Sequence, residues 1–202
     1  MFRQLIQTVC DRELGCEVIA AVANGREALR AVAQGRPDLV ILDLYLPDLD
    51  GFAVTDEVRL ISPGTRILLM SAHCDQNTLH KVAQAGADGF LDKGTDTVAT
   101  LRQAVTAVLN GRHFWSARFQ SARRAWEGDP DSPFKILSDW ERRVLAHIGQ
   151  CLTDGEIALR LGIAPRTVKR HRSNLLRRLG LSGTPKLIAY AQALGFAPPG
   201  AG

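Results

Sequence analysis

The chain has 202 residues, 46% hydrophobic and 23% charged, which is the balance of a folded globular protein with room for two small domains. No apolar run approaches the ~20 residues of a membrane helix and the opening lacks the look of a cleavable leader, so a cytoplasmic protein with no membrane role is expected. The net charge of +4 is uneven: residues 1–110 carry 10 Lys+Arg against 14 Asp+Glu, and residues 134–196 carry 11 against 4, an acidic half ahead of a basic one that is a candidate for nucleic acid.

The acidic half alternates in period. Residues 16–22, CEVIAAV, form a short apolar, β-branched run after Gly15 and predict a strand. NGREALRAVAQG then places Ala28, Leu29, Val32 and Ala33 at helical spacing between an Asn24 cap and a Gly35 stop. A strand over 38–43 follows, then the turn LPDLDG and a helix over 51–60. RILLMSA is the next strand, 74–85 a helix, GFL a very short strand, and 95–110 a helix ending at Asn110-Gly111. Short strands alternating with helices predict a parallel sheet covered on both faces. In such sheets reactive groups gather at the carboxyl ends of strands, and Asp43, Ser71 and Lys93 all fall at or just beyond such ends.

The alternation breaks at WSARFQSARRAWEGDPDSPFK, whose front extends a helix and whose EGDPDSP has linker composition. After it come only helical patterns, over 138–149, 153–161, 164–179 and 184–194, with Gly162 and Gly180 as stops. The expected organisation is a first domain over 1–110, a linker over 111–133, a helical domain over 134–196 and a tail over 197–202. Cys10, Cys16, Cys74 and Cys151 have neither metal-ligand spacing nor a disulfide pattern, and read as reduced thiols.

A carboxylate such as Asp43, closing an apolar strand, can attack a phosphoryl group and form an aspartyl phosphate. An anion then meets an anion, so a cation and a hydroxyl are needed at the phosphoryl oxygens. Lys93 after GFLD and Ser71 after ILLM have the right types and positions. With DLVILDLYLPDLDG, ILLMSA and AGADGFLDKG in this order, the half resembles the flavodoxin-like receiver domain of two-component response regulators. The resemblance implies Asp43 as phosphoacceptor, Ser71 as switch hydroxyl, Lys93 as phosphate-sensing lysine and Phe90 as aromatic rotamer switch. It also implies Mg²⁺ as cofactor and a sensor histidine kinase as partner. Asp48 and Asp50, in the following loop, read as turn-shaping residues rather than metal ligands.

The pattern departs from the family at its start. Receivers open with a strand ending in two adjacent acidic residues, which hold Mg²⁺ together with the phosphoacceptor. MFRQLIQTVC instead resembles the helix that follows that strand, so Asp43 is the one metal ligand in sight. Asp11 and Glu13 lie at the far end of this helix. The receiver strand order 2-1-3-4-5 makes the missing strand internal, leaving strands 16–22 and 38–43 without their shared neighbour. Three explanations stand: an upstream start, a receiver that works without phosphate, or another segment or chain filling the gap.

The basic half, LSDWERRVLAHIGQCLTDGEIALRLGIAPRTVKRHRSNLLRRLGL, resembles the LuxR-type helix-turn-helix of NarL/FixJ response regulators. Winding 164–179 as a helix sets Arg166, Lys169, Arg170, Ser173 and Arg177 on one face, with Val168, Leu175 and Leu179 opposite. A basic face on the second helix of such a unit suits the major groove. Arg166, Thr167, Lys169, Arg170 and Ser173 are the candidate DNA-binding residues, Lys169 and Arg170 foremost, with double-stranded DNA as partner. Glu141 and Arg142 read as structural. Helix 184–194, with Leu187, Ile188, Ala191 and Leu194, is either a dimer surface or core packing.

Together these features predict a DNA-binding regulator, not an enzyme, whose aspartyl phosphorylation controls dimerisation and DNA binding. A phosphorylation-independent regulator with an interaction or ligand-sensing receiver is the alternative. A phosphatase using an aspartyl phosphate would want a second aspartate two residues after the nucleophile, where Tyr45 stands.

Overall fold

The computed structural model describes residues 2–197, which divide into two compact units. The first is built from residues up to 74 and from 81–121, the second from 75–80 and from residue 122 on.

The first unit opens with α1 (Phe2–Thr8), which widens into a π-helical turn over Val9–Glu13. Leu14 and Cys16 close that turn by donating to the carbonyls of Val9 and Cys10, and Gly15 takes the left-handed conformation the reversal requires. Then along the chain come α2 (Gly25–Gly35), β1 (Leu39–Asp43), α3 (Gly51–Ile61), β2 (Arg66–Ser71), α4 (Gln76–Gln84), β3 (Gly89–Asp92), α5 (Val98–Leu109), β4 (Phe114–Trp115) and α6 (Ala117–Gly128), with residues 76–80 of α4 and 122–128 of α6 counted in the second unit. The sheet is parallel throughout, in the order β1-β2-β3-β4, with Asp43 opposite Met70 and Ser71 opposite Asp92. In β2, Ile67, Leu68 and Leu69 are all fully buried, as a central strand covered on both faces demands. Leu68, Met70 and Leu91 pack against Ile6 and Val9 on one side of the chain's start and against Leu101, Ala104, Val105 and Val108 of α5.

Two sequence expectations are corrected here. Residues 16–22 carry no strand: the sheet begins at β1, and Ile19 is 50% exposed. The composition suits a strand, but a strand exists only through a neighbour's backbone groups, and none lies between this segment and β1 among the described residues. Leu39, Val40 and Ile41 are accordingly only partly buried. Second, residues 111–133, read as a linker, hold both β4 and α6. Phe114 and Trp115 complete the sheet, and Gly89 opposite Phe114 allows the approach, since a Cβ there would stand 2.8 Å from the Phe114 carbonyl.

The second unit contains α7 (Pro133–Ile136), α8 (Asp139–Gly149), α9 (Asp154–Leu161), α10 (Pro165–Arg178) and α11 (Thr184–Ala193). Capping boxes Ser138/Glu141 and Thr153/Glu156 start α8 and α9. Gly162, at φ 66°, turns the chain from α9 into α10. Val144, Leu145, Ile148, Ile157, Val168 and Leu175 form the core with Leu187 and Ala191. Leu187 and Ala191 of α11 are therefore core residues, which decides between the two readings of that helix for these positions.

Asp88, just before β3, fastens the first unit. Its carboxylate accepts from the Ile67 N–H (2.8 Å) and pairs with Arg59 (2.7 Å) and Arg66 (3.4 Å), joining α3, β2 and β3. Burial pushes its carboxyl up, but the Ile67 amide and the two guanidinium groups outweigh this and hold it below the usual range. A depressed carboxyl contributes stability that is fully present above about pH 4 and is lost as acid protonates it. Asp88→Ala is expected to lower stability by on the order of 2 kcal/mol near neutrality and to flatten the acid limb of a stability–pH profile, both read by chemical denaturation. An unchanged acid limb would contradict this role.

Candidate functional site

Asp43 stands at the carboxyl end of β1, and the chain turns away at once through the Tyr45–Asp50 bridge. Gly51 opens α3 directly against this strand end, where a Cβ would fall 2.6 Å from the Asp43 carbonyl oxygen. No larger residue fits without moving the strand. The turn acids serve the backbone, as the sequence suggested. Asp48 accepts from Gly25 N–H (2.7 Å) and Arg26 N–H (3.1 Å) at the start of α2, and these bonds, Gly25 first, hold its carboxyl below the usual range. Asp50 caps α3 through Phe52 N–H (2.9 Å).

The Asp43 Oδ2 atom lies 2.7 Å from Lys93 Nζ, an ion pair formed across two strand spacings, while Oδ1 accepts from Tyr45 N–H (3.1 Å). The two side chains are 26% and 21% exposed, enough for a small anion to reach them. Lys93 N–H donates to the Ser71 carbonyl (2.8 Å), which sets its height at the end of the sheet. The Phe2 ring lies 5.1 Å from Lys93 Nζ. Ser71 is buried, and its hydroxyl is held by His73, donating to that carbonyl and accepting from that N–H, both at 2.9 Å. The His73 ring meets Tyr45 edge-on at 4.9 Å. Phe90 is fully buried, its ring 6.1 Å from Phe119 at the start of α6. Asp43, Lys93 and Ser71 thus gather at one end of the sheet, with Phe90 inside it.

A carboxylate with an ammonium at hydrogen-bond distance has the parts for phosphoryl capture. A divalent cation needs more. Mg²⁺ takes oxygen ligands in octahedral geometry, and both Asp43 oxygens are already engaged, by Tyr45 N–H and by Lys93 Nζ. Glu13 is spent on Arg102 (2.7 Å). Among the described residues no three His, Cys, Asp or Glu side chains stand together as a metal group. The donor set does not fit a protein-held Mg²⁺.

In the second unit, Arg166, Lys169, Arg170, Ser173 and Arg177 are exposed along α10, Thr167 is half-buried, and Val168 and Leu175 face the core. The remaining arginines have other work. Arg172 binds Asp154 of α9 through two nitrogens (2.9 and 2.6 Å). Arg178 reaches back to Glu141 (3.0 Å) and the Ile136 carbonyl (2.8 Å). Burial pushes the Glu141 carboxyl up, but Ser138, through its N–H and hydroxyl, and Arg178 hold it below the usual range. Arg142 is mostly buried, donates to the Phe134 and Leu137 carbonyls and pairs with Asp139. Helical angle in the sequence separated the exposed face of α10 from its buried one, but gave no signal for the partners of Arg172 and Arg178. These partners lie 18 and 37 residues away. Sequence reading also passed over Asp92, whose one visible sign is a charged residue closing an otherwise apolar strand.

Two family models match the chain: the response regulator receiver domain over residues 1–127, and the luxR family of bacterial regulatory proteins over residues 135–191. The chain belongs to the two-component response regulators of the NarL/FixJ type, a receiver domain followed by a LuxR-type helix-turn-helix domain. It is a DNA-binding regulator. Among its relatives, the Fimbriae Z protein of Salmonella typhimurium is 29% identical over 195 residues, covering 95% of this chain and 91% of that protein. The oxygen regulatory protein NreC of Staphylococcus aureus is 30% identical over 184 residues, covering 87% and 84%. Of solved structures, a LuxR-family response regulator from Aurantimonas is 31% identical with TM-score 0.57, covering 63% of this chain and 88% of that one. RcsB of Salmonella enterica serovar Typhimurium, bound to promoter DNA in the presence of the phosphomimetic BeF3⁻, shares the fold at TM-score 0.65 and 17% identity, covering 94% and 92%.

The division of labour within α10 is testable by stability alone. Arg172→Ala is expected to destabilise the protein by about 1–3 kcal/mol, because Asp154 at the start of α9 loses its partner. Arg170→Ala should stay within about 0.5 kcal/mol. Equal thermal shifts for the two variants would contradict the assignment.

Proposed function

We infer that Asp43 accepts a phosphoryl group from a sensor histidine kinase and that its phosphorylation controls pairing of two chains on double-stranded DNA. The observation that carries this reading is the 2.7 Å Asp43–Lys93 pair with Ser71 on the adjoining strand end. In the transfer, an Asp43 carboxylate oxygen bonds to phosphorus as the donor's P–N or P–O bond breaks and its electrons leave with the donor. Lys93 then holds the new phosphoryl oxygens in place of the Asp43 carboxylate. Ser71 releases His73 and donates its proton to the same group, and Phe90 follows into the space behind Ser71. Output belongs to residues 134–196. Arg166, Lys169, Arg170, Thr167 and Ser173 meet the major groove and the flanking phosphates. RcsB bound to promoter DNA, and described as dimers on DNA, supports this mode of action. The protein is expected to act in the cytoplasm, where its kinase and its operator are both accessible.

A second reading has one specific observation in its favour. Since no metal-type group of acidic side chains stands with Asp43 among the described residues, the receiver half could regulate through protein or ligand binding, without phosphate. Mg²⁺ is expected from the family, and of the site residues Asp43 would be a ligand to it. Acetyl phosphate separates the readings. Slow phosphorylation that is abolished in Asp43→Asn, and that responds only weakly to added Mg²⁺, is the expected result by intact mass. No mass change on prolonged incubation would favour the second reading.

DNA binding is tested by affinity for operator and random duplex at several salt concentrations. Affinity should fall steeply with salt, since each neutralised phosphate contributes a slope of about −0.9. Lys169→Ala or Arg170→Ala should weaken operator binding by about 1–3 kcal/mol if the residue reads a base, and weaken all duplexes alike if it holds a phosphate. Lys186→Ala, at an exposed position of α11, should have little effect. Normal operator binding by both α10 variants would contradict the groove assignment.

A further inference from the structure

Behind Lys93 lies a carboxylate that the phosphoacceptor chemistry does not use. Asp92 ends β3 after the buried Phe90 and Leu91 and is itself only 1% exposed. Its Oδ1 accepts from Gly94 N–H (2.8 Å), and its own N–H donates to Asp96 Oδ2 (2.8 Å), so the loop from 92 to 96 is drawn tight around two carboxylates. Burial raises the Asp96 carboxyl, its bond to the Asp92 N–H partly offsets that, and the Asp92 charge adds to the rise. The second oxygen of Asp92, Oδ2, is buried and makes no hydrogen bond among the described residues. Its ion-pair partner among the described residues is Arg118, whose guanidinium nitrogen is 3.7 Å away. That is an ion pair by charge but lies beyond hydrogen-bond reach.

This arrangement is unbalanced. A buried carboxylate oxygen without a donor is unfavourable, and a like charge beside it makes it more so. Arg118 is 54% exposed on a long side chain, and it sits in the first turn of α6, where a positive charge opposes the helix dipole. An approach of about 1 Å would turn the contact into a charge-assisted hydrogen bond and relieve both faults. Asp92 is also covalently next to Lys93, whose N–H is fixed to Ser71, and α6 carries the chain out of the first unit.

We propose that Asp92 and Arg118 form a relay that passes the state of the Asp43 site to helix α6. When Lys93 leaves Asp43 for a phosphoryl oxygen, the 92–96 loop shifts with it, the Asp92–Arg118 contact closes, and the first turn of α6 is fixed. Neither residue touches the reacting atoms; both are positioning residues. The relay rests on the phosphoacceptor reading above.

The test uses the full chain and the variants Asp92→Asn, Arg118→Gln and Arg118→Lys, treated with acetyl phosphate and Mg²⁺. Asp43 attacks phosphorus, acetate leaves, and intact mass gives the phosphorylated fraction. Hydrogen exchange over residues 117–128 is read on the same samples. The unchanged chain should show several-fold slower exchange in the first turn of α6 once phosphorylated. Asp92→Asn and Arg118→Gln should reach the same phosphorylated fraction with no slowing, and Arg118→Lys should retain it. If Asp92→Asn fails to fold, the exposed Arg118 pair of variants decides alone. Slowing that survives in Arg118→Gln, or phosphorylation of the unchanged chain with no change in α6, would overturn the relay and leave the phosphoacceptor standing. Absence of any mass change would overturn both.

Discussion

The first unit is organised around the ion pair between Asp43 and Lys93. Its partners come from β1 and β3, with β2 between them, so the pair exists only because three parallel strands end level with one another. The ladder sets Asp43 opposite Met70 and Ser71 opposite Asp92, and Lys93 N–H reaches one step further to the Ser71 carbonyl. A partly exposed pair of this kind is worth ~1 kcal/mol or less. The pair therefore does not hold the sheet together; the sheet holds the pair. That is the condition a switch requires, because a contact of small value can be exchanged for a phosphoryl group carrying about two negative charges without unfolding its surroundings.

The second unit divides its basic residues by the same economy of position. Along α10, side chains 3.6 residues apart share a face, and the core residues Val168 and Leu175 fix which face is left outside. Arg172 and Arg178 flank that face and are drawn inward by Asp154 and Glu141, anchoring α10 to the N-terminal ends of α9 and α8. Both carboxylates sit where helix dipoles favour anions, and Glu141 also closes the capping box of α8. The exposed Lys169 and Arg170 are thus held at a fixed angle by neighbours in the same helix. Their positive charge accumulates on one surface because their acidic counterparts are used elsewhere.

Much of this was legible in the sequence, for identifiable reasons. Asp43, Ser71 and Lys93 could be placed at one end of the sheet because strand ends in a parallel sheet are marked by where an apolar run stops. The exposed face of α10 followed from helical angle. Residues 16–22 were misread as a strand because composition reports β propensity, whereas a ladder is a property of two segments. β4 was passed over because two residues, Phe114 and Trp115, leave no periodic trace and run straight into a helix. The setting of Asp92 was invisible for a related reason: Arg118, with which it pairs, is 26 positions away and belongs to a segment that reads as linker. Local pattern identifies faces and ends; pairing across elements requires the fold.

The central claim is that Lys93 and Ser71 are poised to change partners when Asp43 is modified. A crystal structure of the full chain with beryllofluoride on Asp43 tests it most directly. The account requires Lys93 Nζ and Ser71 Oγ both within hydrogen-bond distance of the fluoride ligands, with the Ser71 hydroxyl released from His73. A beryllofluoride adduct on Asp43 that leaves the Ser71–His73 bonds intact, with Lys93 turned away, would contradict it.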